Sequence, residues 1–158
     1  MLRALDQVTV PIRLVLAGVE PTGSLGRLVA RVPARHAVVC VPFTPQGRAV
    51  YELLEVVLLP SRSEGLSQAL LEAMARGKPV IASAATGNLE VVTDGVDGLL
   101  VDPLAPGAWG QAIEELLSNP GARARLGSRA RHTARVTYSL DRTVRRTAEL
   151  YQSILTGS

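Results

Sequence analysis

A chain of 158 residues with 47% hydrophobic and 20% charged side chains has room for one hydrophobic core and too balanced a composition for a disordered chain. Its single cysteine, Cys40, excludes an internal disulfide framework and fits a reducing, cytoplasmic setting. Aromatic residues make up only 3%, too few to furnish stacking platforms for single-stranded nucleic acid, so no nucleic-acid partner is expected.

The formal charge of +3 is unevenly spread. Residues 1–120 carry 9 Arg and Lys against 12 Asp and Glu, whereas residues 121–158 carry 8 Arg against Asp141 and Glu149. The Arg-rich tail offers a surface for peripheral contact with an anionic membrane, and a solvated helix face is the alternative reading. The apolar stretch from Val8 to Val19 is broken by Pro11 and Arg13, too short for a membrane span and without the basic leader of a signal peptide.

In chain order, short apolar runs alternate with helical patterns over about the first hundred residues. That alternation predicts βαβ units around a parallel sheet, hence an α/β class. Residues 13–18 (RLVLAG) read as a strand, Leu25 to Val32 as a short helix, and His36 to Val41 as a second strand. Gln46 to Leu54 reads as a helix and Glu55 to Leu59 as a strand stopped by Pro60. The next helix carries Leu66, Leu70, Ala73 and Met74 on one face and ends at Gly77, before the strand Pro79 to Ser83. A short helix near Leu89 to Val92, a tight turn from Asp94 to Gly98 and a strand from Leu99 to Val101 follow. Beyond Pro103 only helices are predicted, at Ala108 to Leu117, Ala122 to Val136 and Asp141 to Leu155. The chain thus divides into an α/β part over 1–103 and helices over 104–158.

The residues best suited to chemistry lie between Pro60 and Glu72, where a parallel strand gives way to a helix. Open α/β sheets bind ligands outside the carboxyl ends of their strands. Gly65 allows a ligand close to the backbone, and the amides of Leu66, Ser67 and Gln68 would face an anion at the helix N-terminus. Glu64 would stand at the mouth of such a site. Glu72 would lie two turns on and about 80° around the helix, reaching the same elongated ligand at another depth. Carboxylates are poor partners for phosphate and good acceptors for vicinal hydroxyls, so a phosphate flanked by polyols, as in a nucleotide sugar, suits both features. A solvated Glu pair that merely favours the helix dipole is the plainer reading of the spacing alone.

The run PSRSEGLSQALLEAMARGKPVIASAATGNLEVVTDGVDGLLVDP resembles the C-terminal, donor-binding domain of the retaining glycosyltransferases of family 4, which have the GT-B fold. The pattern joins Glu64 and Glu72 in a Pro-Ser loop and helix, the turn from Ala73 to Val80, Gly87 and Glu90, and the strand entry from Gly95 to Val101. The resemblance implies a Rossmann-like parallel sheet with flanking helices and an all-helical tail, half of a GT-B fold. It implies that Glu64 approaches the donor sugar, that Gly65, Leu66, Ser67 and Gln68 meet the diphosphate or sugar, and that Glu72 accepts the ribose hydroxyls. The nucleobase would lie along the backbone of Val41, Pro42, Phe43 and Thr44, and Asn88 would line the same cleft.

The donor implied is a UDP-, GDP- or ADP-sugar, with a hexose passing to a hydroxyl of a glycan or lipid. No metal and no separate cofactor are implied. Family members open this domain with a strand and a Gly-Arg and Lys-Gly turn that neutralises the diphosphate. Met1 to Val8 (MLRALDQV) resembles the end of the helix after that turn, so the expectation is a domain truncated at its first strand. The neighbouring strands would then lack a common partner and their apolar faces would be poorly covered. On this reading an N-terminal acceptor domain or a partner chain is missing, and the chain alone is inactive. The alternatives are a non-catalytic fragment or subunit, or a basic-tail binding module.

Overall fold

The computed structural model describes residues 1–44, 47–63 and 65–156. The Leu/Val-rich run β1 (Arg13–Ala17) pairs in parallel with β2 (Ala37–Val41), from Arg13 opposite Ala37 to Ala17 opposite Val41. The crossover between them is α1 (Gly23–Val29). A second parallel sheet has the order β3 (Val57–Leu59), β4 (Val80–Ser83), β5 (Leu99–Val101). Its crossovers are α2 (Gln68–Ala75) and α3 (Thr86–Val91). All four residues of the central β4 are buried, as expected of a strand covered on both faces. Because every pairing is parallel, the carboxyl ends of the strands share one edge within each sheet.

Three helices close the chain: α4 (Pro106–Ser118), α5 (Pro120–Thr137) and α6 (Leu140–Thr156). Asn119 caps α5 by accepting from the Ala122 amide at 2.9 Å. Gly77, after the last turn of α2, takes a φ of +71°, a left-handed conformation that glycine adopts without strain. Gly127 of α5 lies directly on that turn, where a Cβ would collide with the Gly77 carbonyl. The Arg-rich α5 is therefore a packed helix, burying Leu126, Ala130 and Ala134. By contrast, α6 buries none of its residues. No described helix is long and apolar enough to cross a membrane.

Three expectations are adjusted. Residues 47–53 form a 3-10 helix rather than an α-helix, and Gln46 lies outside the described residues. Leu66 precedes α2 and is 53% exposed, so the buried face of that helix is Leu70, Ala73 and Met74. The short helix placed near Leu89 begins earlier, at Thr86.

The N-terminal residues are built into the core. Leu2–Asp6 form a 3-10 helix whose Ala4 and Leu5, with Val8, are fully buried beside Leu14, Ile81, Val101 and Trp109. Gly110 of α4 allows this approach, since a Cβ there would sit 2.9 Å from the Ala4 carbonyl oxygen. Arg35 donates to the carbonyls of Val8, Leu5 and Asp6 at 2.8–3.2 Å. His36 Nε2 meets the Leu5 carbonyl at 3.0 Å while its Nδ1 accepts from the Ile12 amide at 3.4 Å, which fixes the imidazole as a structural link. Ala4, Leu5 and Val8 cover Leu14 of β1, so the predicted poor cover is corrected there, whereas the other residues of β1 and all of β2 stay partly or fully exposed. Among the described residues β1 pairs only with β2, and β3 only with β4.

Candidate functional site

At the carboxyl edge of the β3-β4-β5 sheet, Pro60 stops β3 and the chain turns into α2. Ser67 is the N-cap, 5% exposed, with extended backbone and an Oγ that accepts from the Leu70 amide at 3.4 Å. The first turn therefore leaves the amides of Gln68 and Ala69 without intrahelical acceptors, at the positive end of the helix dipole. The sequence reading placed the facing amides at Leu66, Ser67 and Gln68; with Ser67 as the cap, Ala69 joins Gln68 in the first turn. Gly65 is exposed, and nothing lies within 4 Å of where its Cβ would be, so the backbone is open to a ligand. Glu64 lies outside the described residues.

Glu72 stands just over one turn into α2, half-buried, and its Oε1 meets Arg48 Nε at 2.9 Å. Arg48 belongs to the 3-10 helix Gly47–Leu53, which also sends the Tyr51 hydroxyl to the Ala69 carbonyl at 3.2 Å. Arg76, one turn beyond Glu72, covers the Tyr51 ring at 5.1 Å and donates to the Glu72 carbonyl at 3.1 Å. Burial, and next the negative charge of Glu72, push the Tyr51 phenol above its ordinary range, while Arg76 and Arg48 pull the other way. The sequence reading missed Arg48 and Tyr51. Their signal was the three-residue spacing, which stacks side chains on one side of a 3-10 helix.

Asn88 is 1% exposed and turned into the fold. Its Nδ2 donates to the carbonyl and the Oγ of Ser83, at 3.0 and 3.1 Å, and the Ser83 hydroxyl donates to the Ser61 carbonyl. This chain of bonds ties α3, the end of β4 and the loop after β3 together. The Oδ1 of Asn88 is buried without a partner. After β2, the carbonyl of Val41 accepts from the Gly18 amide at 2.8 Å and that of Thr44 from the Gly47 amide at 3.0 Å, while Pro42 and Phe43 are exposed. Phe43 projects 84% into solvent. Ser67, Gln68 and Glu72 thus share α2, which starts from the carboxyl edge of the sheet, and Ser61, Ser83 and Asn88 bond to one another at the ends of β3 and β4. Two surface hollows of about 520 and 450 Å³, one along α1 beside Arg27 and one between Glu52 and Arg123, lie away from this edge.

Residues 1–133 match the profile of the glycosyl transferases group 1 family. A D-inositol 3-phosphate glycosyltransferase of Corynebacterium urealyticum is 35% identical over 156 residues, covering 92% of this chain and 36% of its own length. Among solved structures, Anabaena HepE in complex with UDP-glucose superposes with a TM-score of 0.82 at 23% identity, over 96% of this chain and 44% of that one. The sucrose-phosphate synthase of Thermosynechococcus elongatus gives 0.78 at 25% identity, over 99% of this chain and 49% of that one. The architecture is one half of a GT-B fold. The chain spans about a third of the length of the curated relative.

These matches overturn the expectation of a domain truncated at its N-terminus. The family match takes in residues 1–133 and HepE aligns with 96% of the chain. Met1 to Val8 belong to the matched domain, and the burial of Ala4, Leu5 and Val8 gives the physical reason.

Proposed function

The chain belongs to the glycosyl transferases group 1 family, and on that premise we propose that its α2 edge binds the nucleotide diphosphate sugar from which a retaining, family 4 type enzyme transfers a hexose to a hydroxyl acceptor. One observation carries the reading. The Ser67-capped N-terminus of α2 leaves the Gln68 and Ala69 amides open for a diphosphate, with the Glu72 carboxylate standing beside them for vicinal hydroxyls. The relatives support it: HepE was solved with UDP-glucose, and the curated relative is named a D-inositol 3-phosphate glycosyltransferase.

In this reading Gln68 and Ala69 bind phosphate oxygens, Glu72 accepts ribose hydroxyls, and the backbone of Val41 to Thr44 borders the base. Gly65 and Leu66 pass beside the sugar, and Glu64 serves the sugar hydroxyls. Asn88 acts from below, by holding the loop that carries them. Helix-terminus amides stabilise the departing diphosphate by fixed dipoles that need no reorganisation during the reaction. The acceptor side comes from a further segment or a partner chain in the cytoplasm, and this chain alone transfers no sugar.

A thermal melt with UDP, GDP, ADP and their sugar conjugates, with NAD as control, tests the reading. A ligand at about a hundred times its dissociation constant stabilises the native state by roughly 2.7 kcal/mol, or about 5–10 °C for a domain of this size. A selective shift lost in Glu72→Ala supports the site. A cooperative melt that no nucleotide moves rejects it.

A second reading has its own observation. The helix α6 leaves Leu140, Val144, Tyr151, Ile154 and Leu155 59–85% exposed along one stripe, with Arg142, Arg145 and Arg146 on other sides of the helix. That pattern suits peripheral contact with an anionic membrane surface. Co-sedimentation with anionic vesicles, falling steeply with salt and lost without residues 140–158, supports it. Equal recovery with neutral vesicles or none rejects it.

A further inference from the structure

We infer that Arg48 is a positioning residue for nucleotide diphosphate binding, acting through Glu72, an inference that rests on the nucleotide reading above. In a 3-10 helix residues three apart eclipse, so Arg48 and Tyr51 line up on one side of the segment Gly47–Leu53. That side faces α2. The Tyr51 hydroxyl anchors it to the Ala69 carbonyl at 3.2 Å, under the Arg76 guanidinium, and Arg48 Nε reaches Glu72 Oε1 at 2.9 Å.

Side chains on a helix lean toward its N-terminus, which brings the Glu72 carboxylate over the turn that carries the free Gln68 and Ala69 amides. With Oε1 held by Arg48, Oε2 remains as acceptor for a ribose hydroxyl. The pair does two things before any ligand arrives. It removes rotamer freedom from a three-torsion side chain that binding would otherwise have to order. It also offsets a negative charge beside the place where a diphosphate docks. Because Arg48 is 73% exposed, the pair adds little to folding stability, so its role in binding can be separated from a role in the fold.

The experiment is calorimetric titration of the full chain with UDP, GDP and ADP, using wild type, Arg48→Ala, Arg48→Lys, Glu72→Gln and the Arg48→Ala/Glu72→Gln double variant. Arg48→Ala is expected to weaken the tightest-binding nucleotide about three- to tenfold, with an unchanged melting temperature, and Arg48→Lys to recover most of the loss. In the Glu72→Gln background Arg48→Ala is expected to cost nothing further, the sign that the two act as one unit. Wild-type affinity in Arg48→Ala, or the same loss with and without the Glu72 carboxylate, overturns the inference and leaves the nucleotide reading standing. Should Glu72→Gln abolish measurable binding, recovery by Arg48→Lys decides, and its failure overturns the inference. Failure of the wild type to bind any of the three nucleotides overturns the nucleotide reading itself, and the inference with it.

Discussion

The hydroxyl of Ser83, at the carboxyl end of β4, donates to the backbone carbonyl of Ser61 in the loop that follows β3, while accepting from the Asn88 amide. Ser83 is fully buried and its bond with Asn88 is buried with it, while the bond to Ser61 is part-buried. Ser83→Ala removes both side-chain hydrogen bonds from this site, at a cost of about 1–3 kcal/mol. Urea unfolding measures it directly. An unchanged midpoint would mean that the loop after β3 is not held from β4.

Gly77 and Gly127 make a paired test of how α5 reaches α2. Gly77→Ala places a side chain at a φ of +71° and should cost about 1–2 kcal/mol. Gly127→Ala drives a Cβ into the Gly77 carbonyl, so α5 must move outward, and the expected loss is at least as large. Thermal melts of the two variants check the order. A neutral Gly127→Ala would contradict the close packing of α5.

The N-terminal residues should behave as core. Leu5 is fully buried among Leu14, Ile81 and Trp109, so Leu5→Ala is expected to destabilise by about 2–5 kcal/mol. Deleting residues 1–8 removes Ala4, Leu5 and Val8 together and should abolish the cooperative melt. A deletion variant that melts like the full chain would show the segment to be dispensable.

Acid should loosen the same region. Two hydrogen bonds from Thr9, hydroxyl first and amide next, hold the Glu114 carboxyl below its ordinary value. The folded state therefore takes up that proton less readily than the unfolded state. The resulting stability is fully present above the unfolded value and is lost as pH falls through the folded one. Glu114→Gln should flatten the acid side of the stability curve measured by urea midpoints at successive pH values. Wild type and variant curves of the same shape would contradict the assignment.

Much of this was legible in the residues. The alternation of RLVLAG, HAVVCV and EVVLL with helical spacing fixes an α/β class, because buried parallel strands must be continuously apolar and their crossovers amphipathic. The Pro60-to-Glu72 block pointed to the carboxyl edge of the sheet, since a strand stop followed by a helix start is written in Pro60, Gly65 and Ser67. The N-terminus was misread because an eight-residue segment is too short to carry a period that separates a helix remnant from a core-filling 3-10 turn. Its burial depends on Gly110, Arg35 and His36, all distant in sequence. The Arg48 contact to Glu72 escaped for the same reason, as 24 positions separate partners that only the packing of the 3-10 segment on α2 unites.

The central claim is that a nucleotide diphosphate sits on the N-terminus of α2, and amide chemical-shift mapping of the full chain tests it most directly. Titration with whichever of UDP, GDP or ADP raises the melting temperature most should move the amides of Gln68 and Ala69 first and furthest, with the Gly65 and Arg48 amides following. Shifts confined to the Arg-rich helices α5 and α6, or none at saturating nucleotide, would contradict the account.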